Sequence, residues 1–184
     1  MRLFVSVDLP DALADEVAAV QSWFDDVPGV RTTDPTQAHV TLAFLGDVDE
    51  TRVPAVEDTL RDAVGEAGVA PFEATVVGLG VFPSEDYVTV VWVGFDDGRE
   101  ELTALHRAVR PALEGLGFEF EDRAFTPHVT VARVDHGGGK AEIQRLLAER
   151  NPTVGTFRAS EVCLTESVLG GDGPTYETVA AVGL

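Results

Sequence analysis

The sequence predicts an α+β fold of two pseudo-symmetric lobes, each a β-sheet backed by helices, around a central cleft. Three observations carry this. Stretches of period two alternate with stretches of helical period along the whole chain. No Pro/Ser-rich linker or break in composition divides them, so residues 1–184 are expected to form a single domain with fused lobes. The tripeptide His-Val-Thr also occurs twice in apolar runs, at 39–41 and 128–130, nearly half the chain apart. A duplicated α+β unit with a shared cleft is the simplest architecture for such a pattern.

Leu3, Val5 and Val7 alternate with Phe4, Ser6 and Asp8, which predicts a first strand over 2–8 with one better-buried face. Pro10 suits a first helical turn, and Leu13, Val17, Val20 and Phe24 recur at helical spacing to about Asp26. The turn-rich "VPGVRTTDPTQ" leads to a strand over 38–45. Val53, Val56, Leu60 and Val64 mark a second helix around 50–67, with Pro54 in its first turn. "FEATVVGLGVF" and "YVTVVWVGF", separated by "PSED", form a hairpin. Leu102, Leu105, Val109, Leu113 and Leu116 give a third helix, with Pro111 as a site for a kink. A strand over 127–134, the loop "HGGGK", a short helix to about Arg150 and strands near 156–165 and 175–182 complete the order β-α-β-α-β-β-α-β-α-β-β.

Composition excludes several classes. Thirteen Lys plus Arg against 32 Asp plus Glu give a formal charge of -19, which ordinarily argues against a nucleic-acid partner. Lys140 is the only lysine, however, and the acidic residues are spread through every predicted helix instead of forming a tail. That distribution is the bias of a halophilic protein. The Debye length falls to about 3 Å at 1 M salt, so local arginines, not overall charge, must select a ligand. Cys163 is alone, which leaves no intramolecular disulfide and suits a reducing cytoplasm. The longest wholly apolar run, Val90 to Val93, is far short of the roughly 20 residues that cross a bilayer, so no membrane association is expected. "MRLFVSVDLP" meets acidic and proline residues too soon for a secretory signal.

The repeated tripeptide carries the chemistry. On a strand, residues i and i+2 share a face, so His39 stands beside Thr41, and His128 beside Thr130, with Val40 and Val129 turned to the core. Two imidazoles and two hydroxyls then converge between the lobes. A phosphodiester accepts hydrogen bonds from threonine hydroxyls, and its cleavage needs one proton removed from the nucleophile and one given to the leaving oxygen. Histidine, with an ordinary pKa of about 6.5, supplies both forms near neutrality. The nearest acids, Asp47 and Asp135, lie past the strand ends, so no third metal ligand stands at a persuasive spacing and no metal or other cofactor is expected.

With these segments in order, the chain resembles a family. "MRLFVSVDLP", "HVTLAFLGDV", "VVGLGVFP", "VVWVGF", "FTPHVTVARV" and "ESVLGGDGPTYETV" are similar to the 2H phosphoesterases over essentially the whole chain. Within that superfamily they resemble the RNA 2',3'-cyclic phosphodiesterase group, historically called 2'-5' RNA ligases. The resemblance implies the bilobal α+β fold, with both His-x-Thr-x strands lining one cleft. It implies that His39 donates a proton to the leaving oxygen and that His128 is the base on the attacking water. It also implies that Thr41 and Thr130 bind phosphate and that Arg133 neutralises a non-bridging phosphate oxygen or the terminal phosphate of a longer substrate. The implied reaction opens a terminal 2',3'-cyclic phosphate of RNA, or of a small cyclic nucleotide, to a 2'-phosphate without a metal.

Upstream of the second motif, Arg123 and Phe125 are candidates for a phosphate contact and a base stack, although Phe125 suits the core equally. His106 reads as ordinary surface, and His136 as solvent-exposed beside its glycines. "HGGGK" lacks the Walker A spacing, and "VVGLGVF" lacks the dinucleotide fingerprint. Three other readings stay open: 2'-5' ligation in the same site, a nucleotide-binding module without turnover, and a metal hydrolase using both histidines and a nearby Asp or Glu. No obligate protein partner is indicated.

Overall fold

The computed structural model describes residues 1–171 and 173–184. The chain forms β1 (Arg2–Asp8), α1 (Ala14–Gln21), β2 (Val30–Thr32), β3 (His39–Asp47), α2 (Val53–Ala67), β4 (Phe72–Ser84) and β5 (Tyr87–Phe95). It continues through α3 (Arg99–Gly115), β6 (Val129–Val134), α4 (Lys140–Glu149), β7 (Thr153–Ala159), β8 (Glu161–Gly170) and β9 (Gly173–Gly183). The fold is α+β, with an antiparallel sheet curled into a half-barrel and four helices. Strand order is β7-β4-β5-β6-β3-β1-β8-β9, and the short β2 lies beside β6.

The lobes are real, but they are not the two halves of the chain. β3, β1, β8 and β9 make one lobe, covered by α2 and α3, whereas β6, β5, β4 and β7 make the other, where α1 packs on β6 and β7. The simple duplication expected from the repeat is therefore replaced by an interleaved path. Hydrophobic pattern cannot reveal this, because it identifies which face of a strand is buried and not which strand it pairs with.

Several elements differ in detail from expectation. The first helix is α-helical only over Ala14–Gln21, and its predicted ends tighten into single 3-10 turns at Asp11–Leu13 and Ser22–Phe24. The stretch near 156–165 is two strands: β7 pairs with β4, and the chain turns at Ser160 before β8 pairs with β1. β2, three residues long, lies in what reads as a turn. α3 runs through Pro111, while the last predicted strand extends to Gly173–Gly183.

β3 and β6 join the lobes through one bridging pair, Val40 and Val129, both fully buried. Burial of each valine is worth about 1.5–3 kcal/mol. Beyond this pair the strands part, β6 continues beside β2, and the gap opens the central cavity. The two repeated motifs thus meet at their middle residues.

Candidate active site

The antiparallel register at Val40 and Val129 sets His39 opposite Thr130 and Thr41 opposite His128. With the valines turned to the core, all four side chains line one cavity of about 500 Å³. The second motif differs slightly from expectation: β6 begins at Val129, so His128 stands just before the strand, after buried Pro127.

Both histidines are held alike. His39 Nδ1 lies 2.8 Å from the Gln37 carbonyl, and His128 Nδ1 lies 2.7 Å from the Thr126 carbonyl, each two residues back. A carbonyl only accepts, so each Nδ1 carries its hydrogen and donates it. In each ring Nε2 is then the nitrogen that gains or loses a proton.

Aromatic rings wall each imidazole. His39 has Phe4 at 4.9 Å and Tyr176 edge-on at 5.1 Å between ring centres. His128 has Phe82 edge-on at 4.9 Å and Trp92 at 5.9 Å. Gly80 serves this wall, because a Cβ there would land inside the Trp92 indole. The glycines of "VVGLGVF" thus include one that makes room for a ring, not a phosphate.

Burial lowers both histidines below their ordinary 6.5, since the charged form loses hydration. The lesser influences differ in sign. The carbonyl held by Nδ1 favours the charged form of both rings and Arg133 disfavours it on both; what differs is the Asp8 carboxylate, which favours it on His39, and His39 itself, which disfavours it on His128. Asp8 pairs with His39 across the β1–β3 ladder and accepts a 2.7 Å hydrogen bond from Ser6. The buried Thr165 hydroxyl stands 3.3 Å from Ser6 Oγ and extends the chain inward.

Arg133 reaches the cavity because of a β-bulge. A strict period of two would place residue 133 with Val129 and Val131 on the core face. Against β5, however, Trp92 pairs with Thr130 and Val91 with Ala132, so Val131 is an extra residue on β6. The bulge reverses parity and turns Arg133 to the face of Thr130. β3 carries an extra residue at the matching place, Leu42, between the partners of Val5 and Ser6.

Arg123 and Phe125 are not brought to the cavity. The Arg123 guanidinium pairs with Glu121 at 2.6 Å in solvent, and Arg123 is not among the residues that line the cavity. Phe125 stacks on His106 with ring centres 4.0 Å apart and packs against the core. His106 is correspondingly not plain surface, since it is half-buried and its Nδ1 lies 2.8 Å from the Leu42 carbonyl. His136 is exposed, and its Nδ1 accepts from the Gly138 N–H. Cys163 is no nucleophile, because burial, Asp8 and Glu161 push its thiol up to about 12.

Sequence reading missed Arg31, Thr33, Gln37 and Tyr176, which also line the cavity. Gln37 holds Tyr176, its side-chain oxygen accepting from the Tyr176 N–H at 2.7 Å. The spacing of Gln37 from His39 was the only local signal.

A cleft in which two antiparallel strands each present a His-x-Thr pair defines a phosphoesterase of the two-histidine class. The chain belongs to the 2'-5' RNA ligase superfamily, whose family model matches residues 9–171. It is 36% identical to the RNA 2',3'-cyclic phosphodiesterase of Methanothermobacter thermautotrophicus, over 96% of this chain and 95% of that protein. It is 34% identical to the enzyme of the same name from Archaeoglobus fulgidus, over 96% and 97%. Among solved structures, a Thermus thermophilus protein matches with a TM-score of 0.80 at 27% identity, covering 100% of this chain and 98% of that one. The fold also matches E. coli LigT complexed with 3'-AMP, with a TM-score of 0.81 at 21% identity over 100% and 97%.

Proposed function

We propose that this protein hydrolyses RNA ends, or small nucleotides, bearing a 2',3'-cyclic phosphate, and leaves a 2'-phosphomonoester. The observation that carries it is the antiparallel meeting of the two His-x-Thr strands, which sets one imidazole on each side of one cavity. In-line displacement at phosphorus needs groups on opposite sides of the reacting atom, one at the entering oxygen and one at the leaving oxygen.

His128, kept neutral by burial and by neighbouring positive charge, accepts at Nε2 the proton of the attacking water. The new P–O bond forms as the bond from phosphorus to O3' breaks. His39, with Asp8 favouring its charged form, gives its Nε2 proton to O3'. The Thr41 and Thr130 hydroxyls donate to the non-bridging oxygens, and Arg133 offsets the charge that builds there. Proton exchange with solvent then returns both rings to their starting forms.

The chemistry is complete without a metal, a cofactor or a protein partner, and residues 1–184 act as one domain built on one core. Among the described residues, no three of His, Cys, Asp and Glu cluster to hold a metal ion. No helix among them is long and apolar enough to cross a membrane, and a cytoplasmic protein is proposed.

The test is incubation with a defined RNA ending in a 2',3'-cyclic phosphate, with and without excess EDTA, resolving 2'- from 3'-phosphate products. A 2'-phosphate formed equally in both supports the proposal. Full activity in a His39→Ala, His128→Ala double variant overturns it.

A further inference from the structure

In a chain with 13 basic and 32 acidic residues, the described lining of the cavity inverts the balance. Arg31 and Arg133 both line it, and the only carboxylate among its described lining residues is Asp34. That carboxylate is already engaged in a turn, accepting from the Thr36 N–H and hydroxyl and from the Gln37 amide.

The two arginines are also direct neighbours. β2 lies antiparallel to β6 with Arg31 opposite Arg133, and the two residues of such a pair share one face of the sheet. Like charges in that arrangement are destabilising unless an anion stands between them. Arg31 has one described ionic partner, Asp135, at 3.4 Å. Both side chains of that pair are largely exposed, 64% and 58%, so it is a weak and exchangeable contact.

Arg133 faces the histidines, whereas Arg31 is one strand further out, toward the end of β6 where Asp135 lies. The cavity, about 500 Å³, also exceeds what a cyclic phosphate alone would fill.

We propose that Arg31 forms a second anion subsite beside Arg133, holding the next phosphate of the substrate while Arg133 stays on the reacting one. On the hydrolase reading above, the reacting cyclic phosphate sits between His39 and His128, and the second phosphate is the one on the 5' side of the same nucleoside. It is either the internal phosphodiester of an oligonucleotide or a terminal 5'-phosphate. Arginine suits both, because its planar fork binds two phosphate oxygens at once. Arg31 is thus a specificity residue: it favours RNA ends over adenosine 2',3'-cyclic phosphate, which has no second phosphate.

The test has a binding arm and a turnover arm, both at fixed ionic strength. In the first, calorimetry compares adenosine 2',5'-bisphosphate with adenosine 2'-monophosphate. The bisphosphate is expected to bind about tenfold tighter to the wild type, and the ratio is expected to fall toward one in Arg31→Gln. In the second, kcat/KM is compared for adenosine 2',3'-cyclic phosphate, its 5'-phosphorylated form, and a dinucleotide ending in the cyclic phosphate. A preference for both larger substrates assigns the subsite to any second phosphate, whereas a preference for the dinucleotide alone assigns it to the internal diester.

Asp135→Asn separates ligand binding from a structural role, since it breaks the same ion pair but keeps the arginine. Retained or increased preference in Asp135→Asn beside lost preference in Arg31→Gln supports the subsite. Equal preference in the wild type and Arg31→Gln overturns it, even if the enzyme turns over. Tighter bisphosphate binding without any turnover instead overturns the hydrolase reading and leaves the subsite standing.

Discussion

Replacing Gln21 by Met tests whether α1 holds the bulge that aims Arg133. Gln21 is buried, 5% exposed, and its amide donates to the Thr33 carbonyl at 2.8 Å and the Val131 carbonyl at 3.1 Å. Methionine fills a similar volume but donates nothing. The Val131 carbonyl keeps the Thr33 N–H at 3.0 Å, whereas the Thr33 carbonyl loses this donor. The Thr33 carbonyl is only part-buried, so losing this partner costs toward the low end of the roughly 1–3 kcal/mol range for a buried acceptor, about 1 kcal/mol. With an m-value near 2 kcal/mol/M, the urea midpoint is expected to fall by about 0.5 M with the slope unchanged. A thermal scan is expected to lose about 2–4 °C in a chain of this size. Gln144→Met is the control, since its amide donates to the Glu85 carbonyl in solvent and its loss is expected to cost less than about 0.5 kcal/mol. Turnover, measured where the variant is fully folded, is expected to drop about tenfold as Arg133 loses its aim. Equal midpoints for the two variants would refute the assignment of Gln21 as the clamp on the bulge.

Other outcomes follow from the same geometry. His39→Ala and His128→Ala are each expected to lower kcat by about 10²–10⁴ on a cyclic phosphate substrate in EDTA, measured by single-turnover kinetics. Asp8→Asn removes a charge that favours protonated His39, so the alkaline limb of the pH–rate profile is expected to move to lower pH while the acid limb, set by His128, stays. Both histidines have folded values below 6.5, so between those values and 6.5 the unfolded chain binds more protons. Stability is therefore expected to fall as pH drops through 6.5, and a His39→Gln, His128→Gln variant is expected to make that part of a plot of Tm against pH shallower, leaving the share of His106, which burial also lowers. Gly80→Ala forces Trp92 off its seat beside His128, with an expected cost of about 1–3 kcal/mol and a visible change in tryptophan fluorescence.

Residues acting through their neighbours in sequence were legible in advance. His39, Thr41, His128 and Thr130 share a face by the period of a strand, and the structure brings all four to one cavity. The β4–β5 hairpin and the helical stripes of α2 and α3 also match their patterns. Residues that meet only through strand pairing were not legible. Phe4, Tyr176, Phe82 and Trp92 look like ordinary strand hydrophobes until the ladders place them around imidazoles. The extra residue at Val131 was invisible, because a bulge changes register without changing composition. Arg123 and Phe125, close to the second histidine in sequence, went elsewhere once Glu121 and His106 offered nearer partners.

The interleaved path of the chain also decides when the cleft can exist. Phe4 of β1 pairs with Thr165 of β8, and Tyr176 of β9 closes against His39. At about 5–20 residues per second on the ribosome, β1 waits about 8–30 s for that partner. Until then the edge of β1 that pairs with β8 is free, and a free edge invites pairing with other strands. His39 therefore gains its full surroundings only when β9 has been made, and on the proposed roles a chain that stops before β9 is expected to be inactive.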